Sequence, residues 1–349
     1  MIALLLLPFA QAFEVTVHNG HENWWDTTSP TFESASTNTP QERGWIDQAE
    51  QLFYAQSSLF WFNIIDADDN TASTHNDENE IEFTSFGSSG PGGTAARVFD
   101  DATGRIKECD VFMNTDIAWT GEAKSLNEHY TTLGYGQGGN PVATLVHELG
   151  HCAGFNHEGD VYNPLGNGQS HVHTNAGDVR GYVGVDLSAG LRYLYGTWSG
   201  VDELSASHWQ WDHSGGGQAD HKRVGMLDSG RTPMDPGTGL EPIFTMVRGQ
   251  TYYPQVTLEN AGSGTAALTL AYVLSTNDYI TPYDTELARD SYLLANGAPF
   301  TAAANTGLVI PASVAPGIYH IGVRVDPDNS VSELREDNNA IYLFAVEVD

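Results

Sequence analysis

The sequence predicts two folded units in series, an α+β domain followed by an all-β antiparallel sandwich. Three observations predict this. At 349 residues the chain exceeds one typical domain. Residues 13–200 mix helical and strand patterns, whereas residues 241–349 read as short strands punctuated by turns. Residues 201–240 are rich in Gly, Ser, Asp and His, including Ser214-Gly215-Gly216-Gly217, and read as a linker or irregular extension.

Residues 1–12 run Met-Ile-Ala-Leu-Leu-Leu-Leu-Pro-Phe-Ala-Gln-Ala. A short apolar stretch ending in Ala10-Gln11-Ala12 has the form of a secretory signal peptide, although no charged residue precedes it. From Gln41 to about Phe62, Ile46, Ala49, Leu52 and Phe53 recur at spacings of three and four after Thr39-Pro40, which predicts a helix. Strands are predicted at Ile81 to Phe83, at Val98-Phe99 and at Asp110 to Met113, the last two around the turn Asp101-Ala102-Thr103-Gly104. Pro141 to Cys152 and Val185 to Tyr195 are predicted helices. The second carries Leu187, Leu191 and Leu194 on one face, and Gly196 is placed to stop it. In the last region Tyr252 to Asn260, Leu268 to Ser275, Gly317 to Asp326 and Ala340 to Val348 carry strand patterns. Tyr319, Ile321, Val323 and Val325 alternate with His320, Gly322 and Arg324.

Acids outnumber bases 45 to 14, for a net charge of -31. Such a field repels a phosphate backbone, which argues against nucleic acid as a partner. Beyond residue 12 no run approaches the ~20 apolar residues of a membrane span. The two cysteines, Cys109 and Cys152, leave two readings: one disulfide inside the first domain, or two buried free thiols.

The chemistry concentrates in His147-Glu148-Leu149-Gly150-His151-Cys152-Ala153-Gly154-Phe155-Asn156-His157. His147 and His151 are four apart, so a helix stacks them on one face, one turn from each other. Two imidazoles so placed reach one cation at the ~2.0–2.1 Å of a zinc–nitrogen bond. Glu148 borders that face and is placed to act as general base toward metal-bound water. A third ligand is still required. Gly154 can enter the left-handed region that ends a helix, turning the chain so that His157 returns to the same metal.

On this extended motif the chain resembles the metzincin clan of zinc metallopeptidases. Asn79-Glu80-Ile81, the run from Glu108 to Asn114 and the run from Asp186 to Gly196 resemble landmarks of its matrixin-type branch and bacterial relatives. The resemblance covers residues 75–196. It implies a twisted mixed sheet above an active-site helix, and a secreted zinc-dependent endopeptidase acting on protein or peptide. It also implies that the strand near Asp110 to Asn114 is the sheet edge that pairs with extended substrate. One departure stands out. The clan places a methionine in a tight turn beneath the metal, but here no methionine falls between Met113 and Met226. Tyr162, in Asp160-Val161-Tyr162-Asn163-Pro164-Leu165, occupies that place as a packing residue or as a phenol donor to the transition state.

Other polar groups have plainer readings. His171 and His173, and His208, His213 and His221, are first of all polar-loop residues, with a second metal or a substrate pocket as the alternative. The acidic stretch from Asp66 to Glu80 offers oxygen ligands for calcium but lacks the EF-hand pattern, so a solvated loop leads. The same holds for Asp326, Asp328 and Glu333.

Residues 241–349 resemble the CARDB domain, an immunoglobulin-like module. The resemblance rests on Val256 to Gly262, Tyr272 to Ser275, Ile310-Pro311, Pro316 to Tyr319, and Val325-Asp326 followed by Glu333, Glu336, Asn338 and Asn339. It implies an immunoglobulin-like sandwich, an architecture more than an activity; a surface or matrix target for this domain is an expectation by analogy. Two alternatives to peptide-bond hydrolysis stand beside it: a non-catalytic adhesion or matrix-binding protein with a degenerate peptidase domain, and a cell-wall peptide amidase.

Overall fold

The structure, a computed structural model, describes residues 13–66, 75–88, 90–119, 140–157, 172–175, 178–181, 183–208, 210, 223–237, 242–297 and 300–349. The signal-like residues 1–12, Tyr162, His171, His213 and His221 lie outside them. The chain is sheet-rich with few helices.

The first unit opens with the short strands β1 (Val17–His18) and β2 (His21–Glu22), followed by β3 (Thr31–Ser34) and helix α1 (Pro40–Tyr54). Thr39 caps α1 in a capping box. Its hydroxyl accepts from the Glu42 N–H at 3.3 Å, and the Glu42 carboxylate accepts from the Thr39 N–H at 2.6 Å. Ile46, Ala49, Leu52 and Phe53 are the buried face, as their spacing predicts. The helix stops at Tyr54, well short of Phe62. Beyond it the Leu59 and Trp61 amides donate to the carbonyls of Gly196 and Thr28 at 3.1 and 3.0 Å, while Phe60 and Phe62 are buried. Long-range pairing there replaces the helical ladder.

β4 (Asn63–Asp66), β5 (Glu80–Thr84), β6 (Gly93–Phe99) and β7 (Ile106–Asn114) complete a five-stranded sheet ordered β4-β3-β5-β7-β6. All its pairs are parallel except β6 with β7, so the sheet is mixed. This corrects one expectation. The strand carrying Asp110 to Asn114 is not an edge, because β7 is hydrogen-bonded on both sides; among the described strands the edges are β4 and, next to β7, β6. Alternate residues Cys109, Val111 and Met113 enter a core shared with Leu145, Val146 and Leu149 of helix α2 (Pro141–Cys152). Beyond α2 come the hairpin β8 (Val172–Asn175) and β9 (Asp178–Gly181), then helix α3 (Val185–Tyr195), whose Leu187 and Leu191 are fully buried.

Residues 201–240 do more than link. β10 (Leu204–Ser207) and β11 (Met226–Leu227) both pair with β13 (Thr251–Asn260), so the second unit begins near residue 201. His208 is buried there, not exposed in a loop. The composition hid this because β10 is only four residues long and three of them are Ser or Ala. β12 (Ile243–Met246), β14 (Ala266–Ser275), β15 (Thr285–Leu294), β16 (Phe300–Ala303), β17 (Leu308–Val309), β18 (Gly317–Val325) and β19 (Ala340–Val348) complete two facing sheets. One is ordered β12-β19-β18-β14-β15. In the other, β13 pairs with β10 and β11 on one side and with β16 and β17 on the other. Leu258, Leu268, Leu270, Tyr272, Ile321, Val323 and Phe344 fill the space between them.

The loop that follows β18 is held by its own carboxylates. Asp326 accepts from the Ser330 hydroxyl and the Val331 N–H, both at 2.8 Å, and Asp328 pairs with Arg289 at 2.6 Å. Glu333 accepts from the Leu204 N–H at 2.6 Å and from Asn339 at 2.9 Å, tying this loop to β10. Burial pushes Glu203 and Glu259 up to about 8 and Glu333 up to about 7. A carboxyl whose folded value is raised keeps its proton in the fold while the unfolded chain ionises. Its contribution is therefore complete below the unfolded value of ~4.5 and is lost as pH rises through the folded one. We expect the melting temperature of the sandwich to fall between about pH 5 and pH 8.5, and Glu259→Gln to flatten part of that slope in thermal melts across pH.

Candidate metal centre

The motif begins with a well-capped helix. The Asn140 side chain accepts from the Val142 and Ala143 amides at 2.9 and 3.1 Å, and Pro141 occupies the first turn. From Val142 to Cys152 every residue of α2 but Thr144 is buried, so this helix crosses the core and its polar residues are there by necessity of function or pairing.

The structure brings His147, His151 and His157 together. Their Nε2 atoms stand 3.0 Å (His147–His157), 3.2 Å (His147–His151) and 3.1 Å (His151–His157) apart. Among the described residues this is the one group of three or more metal-ligating side chains whose donor atoms all lie within 4.8 Å of one another. The fit to a single cation is good. Two nitrogens bound tetrahedrally at ~2.0–2.1 Å to one zinc are about 3.3 Å apart. Three converging imidazole nitrogens have no mutual hydrogen-bond pattern that satisfies all of them, since each neutral ring offers one lone pair and one N–H. The His151 Nδ1 donates to the Phe155 carbonyl at 2.9 Å, which consigns its proton to that side and leaves the Nε2 lone pair directed at the centre. Burial, then the neighbouring His147, pushes His151 down to about 2, and burial and the charge of Arg97 lower His157, so both rings favour the neutral, ligating form.

Gly154 makes the third arm possible. Its φ is +103°, in the left-handed region, and a Cβ there would collide with the Asn23 carbonyl. The turn is fastened from several directions. Trp25 Nε1 donates to the Cys152 carbonyl at 2.8 Å, and the Tyr195 hydroxyl donates to the Ala153 carbonyl at 2.7 Å. Cys109 of β7 is disulfide-bonded to Cys152, which settles the two readings of the cysteine pair.

Glu148 faces β6. It is buried, and the Ala95 N–H donates to its carboxylate; burial dominates and raises it to about 8, against the opposing pull of Arg97. β6 passes so close that a Cβ on Gly93 would lie 2.8 Å from Glu148 Cγ and 2.9 Å from its Oε1. The bare glycine at 93 therefore leaves the room that the carboxylate occupies. Gly93, Ala95, Arg97 and Trp25 escaped the sequence reading, and Tyr195 entered it only within the run from Asp186 to Gly196, because none belongs to the histidine motif and only the fold carries them to it. Tyr162 and His171 lie outside the described residues, as does the side chain of His173.

The acidic stretch is partly described. Asp66 pairs with Arg43 at 2.7 Å. Glu108 accepts from the His75 N–H, and from the Asp77 N–H at 2.8 Å. Asp110 is fully buried. One of its oxygens accepts from the Glu80 N–H at 3.2 Å, and its carboxyl also shares a hydrogen bond with the Glu108 side chain. Burial and then the charge of Glu108 raise Asp110 to about 7.

The class these features define is a sheet-rich protein with an all-β C-terminal sandwich. That second unit is a CARDB domain, whose family model matches residues 243–342. Among solved structures, the crystal structure of the CARDB domain of a Pyrococcus furiosus protein in complex with di-metal ions is 15% identical and covers 42% of this chain and 94% of that one, at a TM-score of 0.26. A solution structure of the same domain is 20% identical and covers 30% and 85%, at 0.21. Wild-type OgpA from Akkermansia muciniphila is 10% identical and covers 92% and 90%, at 0.22. Scores this low carry no argument of their own. No curated protein matches the sequence. Among the described residues no helix is long and apolar enough to cross a membrane.

Two glycines test the geometry. Gly154→Ala adds a Cβ at a left-handed position against a carbonyl, for about 1–2 kcal/mol of backbone cost before the clash is counted. We expect a lower melting temperature and loss of metal binding by chelator competition. Gly93→Ala displaces the Glu148 carboxylate and leaves the imidazoles in place, so metal binding is retained.

Proposed function

We propose that the chain is a zinc-dependent endopeptidase with the metzincin plan in its first unit. The observation that carries this reading is the convergence of the His147, His151 and His157 nitrogens at 3.0–3.2 Å, two of them on the helix that also holds the buried Glu148 and the third from the turn beyond it. Zinc is the cation this donor set suits, and it supplies a Lewis acid that acidifies water and polarises a carbonyl. The chain's own residues do the rest. Glu148, screened from bulk water, takes a proton from the attacking water and passes it to the leaving amine. The edge of β6 that pairs with no described strand offers backbone groups to an extended peptide, which joins as an added strand beside Glu148. The edge assigned to substrate is β6, in place of the strand the resemblance implied.

A buried disulfide beside the ligand helix and the signal-like start favour an oxidising, extracellular location. The CARDB domain then serves to hold the enzyme at a surface or matrix target. Calcium is a further cofactor of this reading. Its footing is the buried Asp110 carboxyl beside Glu108 and Glu80, although these groups do not converge as the imidazoles do.

The purified chain is expected to hold about one zinc and to cleave casein or gelatin, both lost with o-phenanthroline. Glu148→Gln should lower the turnover about a hundred- to ten-thousand-fold with zinc retained. Cleavage unchanged by that substitution sinks the peptidase reading. A zinc-bearing chain with no cleavage favours adhesion, and release of termini from peptidoglycan alone favours the amidase. Calcium should raise the melting temperature of the wild type near pH 8 and not that of Asp110→Asn; equal shifts in both remove the calcium assignment.

A further inference from the structure

We propose that Arg97, on the edge strand β6, is a positioning residue of the metal centre, which it serves by fastening the two carbonyls that fix the His151 ring and the turn carrying His157. The inference rests on the metal-centre reading above and deepens it.

Arg97 Nη1 donates to three acceptors from three parts of the chain: Thr16 Oγ1 at 2.8 Å, the His151 carbonyl at 3.1 Å and the Phe155 carbonyl at 3.3 Å. The Phe155 oxygen also receives the His151 Nδ1 proton at 2.9 Å. One oxygen is thus pinned from outside by a guanidinium and used inside to orient a ligand. A carbonyl free to swing would let the imidazole rotate; a carbonyl held by Arg97 does not. Phe155 is two residues before His157, so the same bond restrains the peptide that delivers the third ligand.

The Thr16 leg extends the device. Thr16 N–H donates to the Gly154 carbonyl at 2.8 Å, and Asn156 N–H donates to the Glu14 carbonyl at 2.9 Å, so residues 14–16 run as a strap beside residues 154–156. Arg97 ties the strap to the helix end. Its guanidinium also lies 5.6 Å over the Phe99 ring, which holds the fork in place. A cation at the C-terminus of α2 further offsets the negative end of the helix dipole. All three contacts leave from Nη1, whose two hydrogens they share; a lysine ammonium can donate there too, but it lacks the planar group that packs over Phe99 and so holds its nitrogen less firmly.

The experiment compares zinc affinity by chromophoric-chelator competition, cobalt(II) absorption spectra and thermal melts for wild type, Arg97→Met, Arg97→Lys and Thr16→Val, all as the full chain. Arg97→Met should weaken zinc about ten- to a hundred-fold, in the range seen for outer partners of metal-ligating histidines, and alter the cobalt spectrum. Arg97→Lys should recover part of that loss, and Thr16→Val, which removes one leg only, should lose less than Arg97→Met. If Arg97→Met does not fold, the Lys and Val variants carry the same comparison. Wild-type affinity and spectrum in folded variants, with only the melting temperature lowered, would show Arg97 to be a structural residue and overturn the proposal. Failure of the wild type to bind zinc, or binding unchanged by His157→Ala, strikes the metal-centre reading itself.

Discussion

The first unit depends on one constraint: the end of α2 must turn sharply inside the core without leaving a carbonyl unpaired. Each carbonyl from Leu149 to Phe155 meets that demand. Leu149, Gly150 and His151 accept from the amides of Ala153, Phe155 and Gly154. Cys152 accepts from Trp25, Ala153 from Tyr195, Gly154 from Thr16, and Phe155 from the His151 ring. A buried, unpaired carbonyl costs about 1–3 kcal/mol, so a run of them would open the turn. The donors come from the N-terminal segment, α3 and the turn itself, and β7 adds the disulfide at Cys152. The elements of the unit are arranged around this turn, and two of the three imidazoles lie directly beside it.

Burial then decides the charges. It keeps His151 neutral well below the pH at which a free imidazole takes up its proton, and it lets Glu148 keep a proton that a free carboxyl gives up at neutral pH. The consequence is a pocket of three lone-pair donors and one carboxyl that prefers to share its proton. A divalent cation held there would reverse that balance by supplying positive charge. Apolar packing on α2 and chemistry on the same helix are therefore one property: the wall that excludes water is what makes the polar groups responsive.

The two units are joined by polar contacts as well as by the chain. Arg192 of α3 is buried and donates to the Ala261 carbonyl at 2.8 Å, to Ser57 at 2.5 Å and to Ser188 at 3.0 Å, and Ser57 donates to the same carbonyl at 2.5 Å. Desolvation lowers Arg192 to about 10, which leaves it charged at neutral pH. Ala261 sits at the end of β13, the strand that also receives β10 and β11 from the stretch whose composition suggested a linker. The region between the units is thus built into the second unit's sheet, and the residue that follows the strand it pairs with is fastened to the first unit.

The sequence by itself determined what depends on local periodicity. The spacing of His147 and His151 on a helix, the need for Gly154 before His157, the capped start at Thr39 and the alternation from Tyr319 to Val325 follow from helix and strand geometry, and the fold has them all. It also determined the CARDB character of the last hundred residues. Only the tertiary structure decided which strand is the sheet edge, where α1 ends, that the cysteines are bonded, and that Gly93, Trp25, Arg97 and Tyr195 attend the site. Each of these is set by groups distant in sequence competing for the same backbone donors, acceptors and volume, and no local pattern records which partner wins.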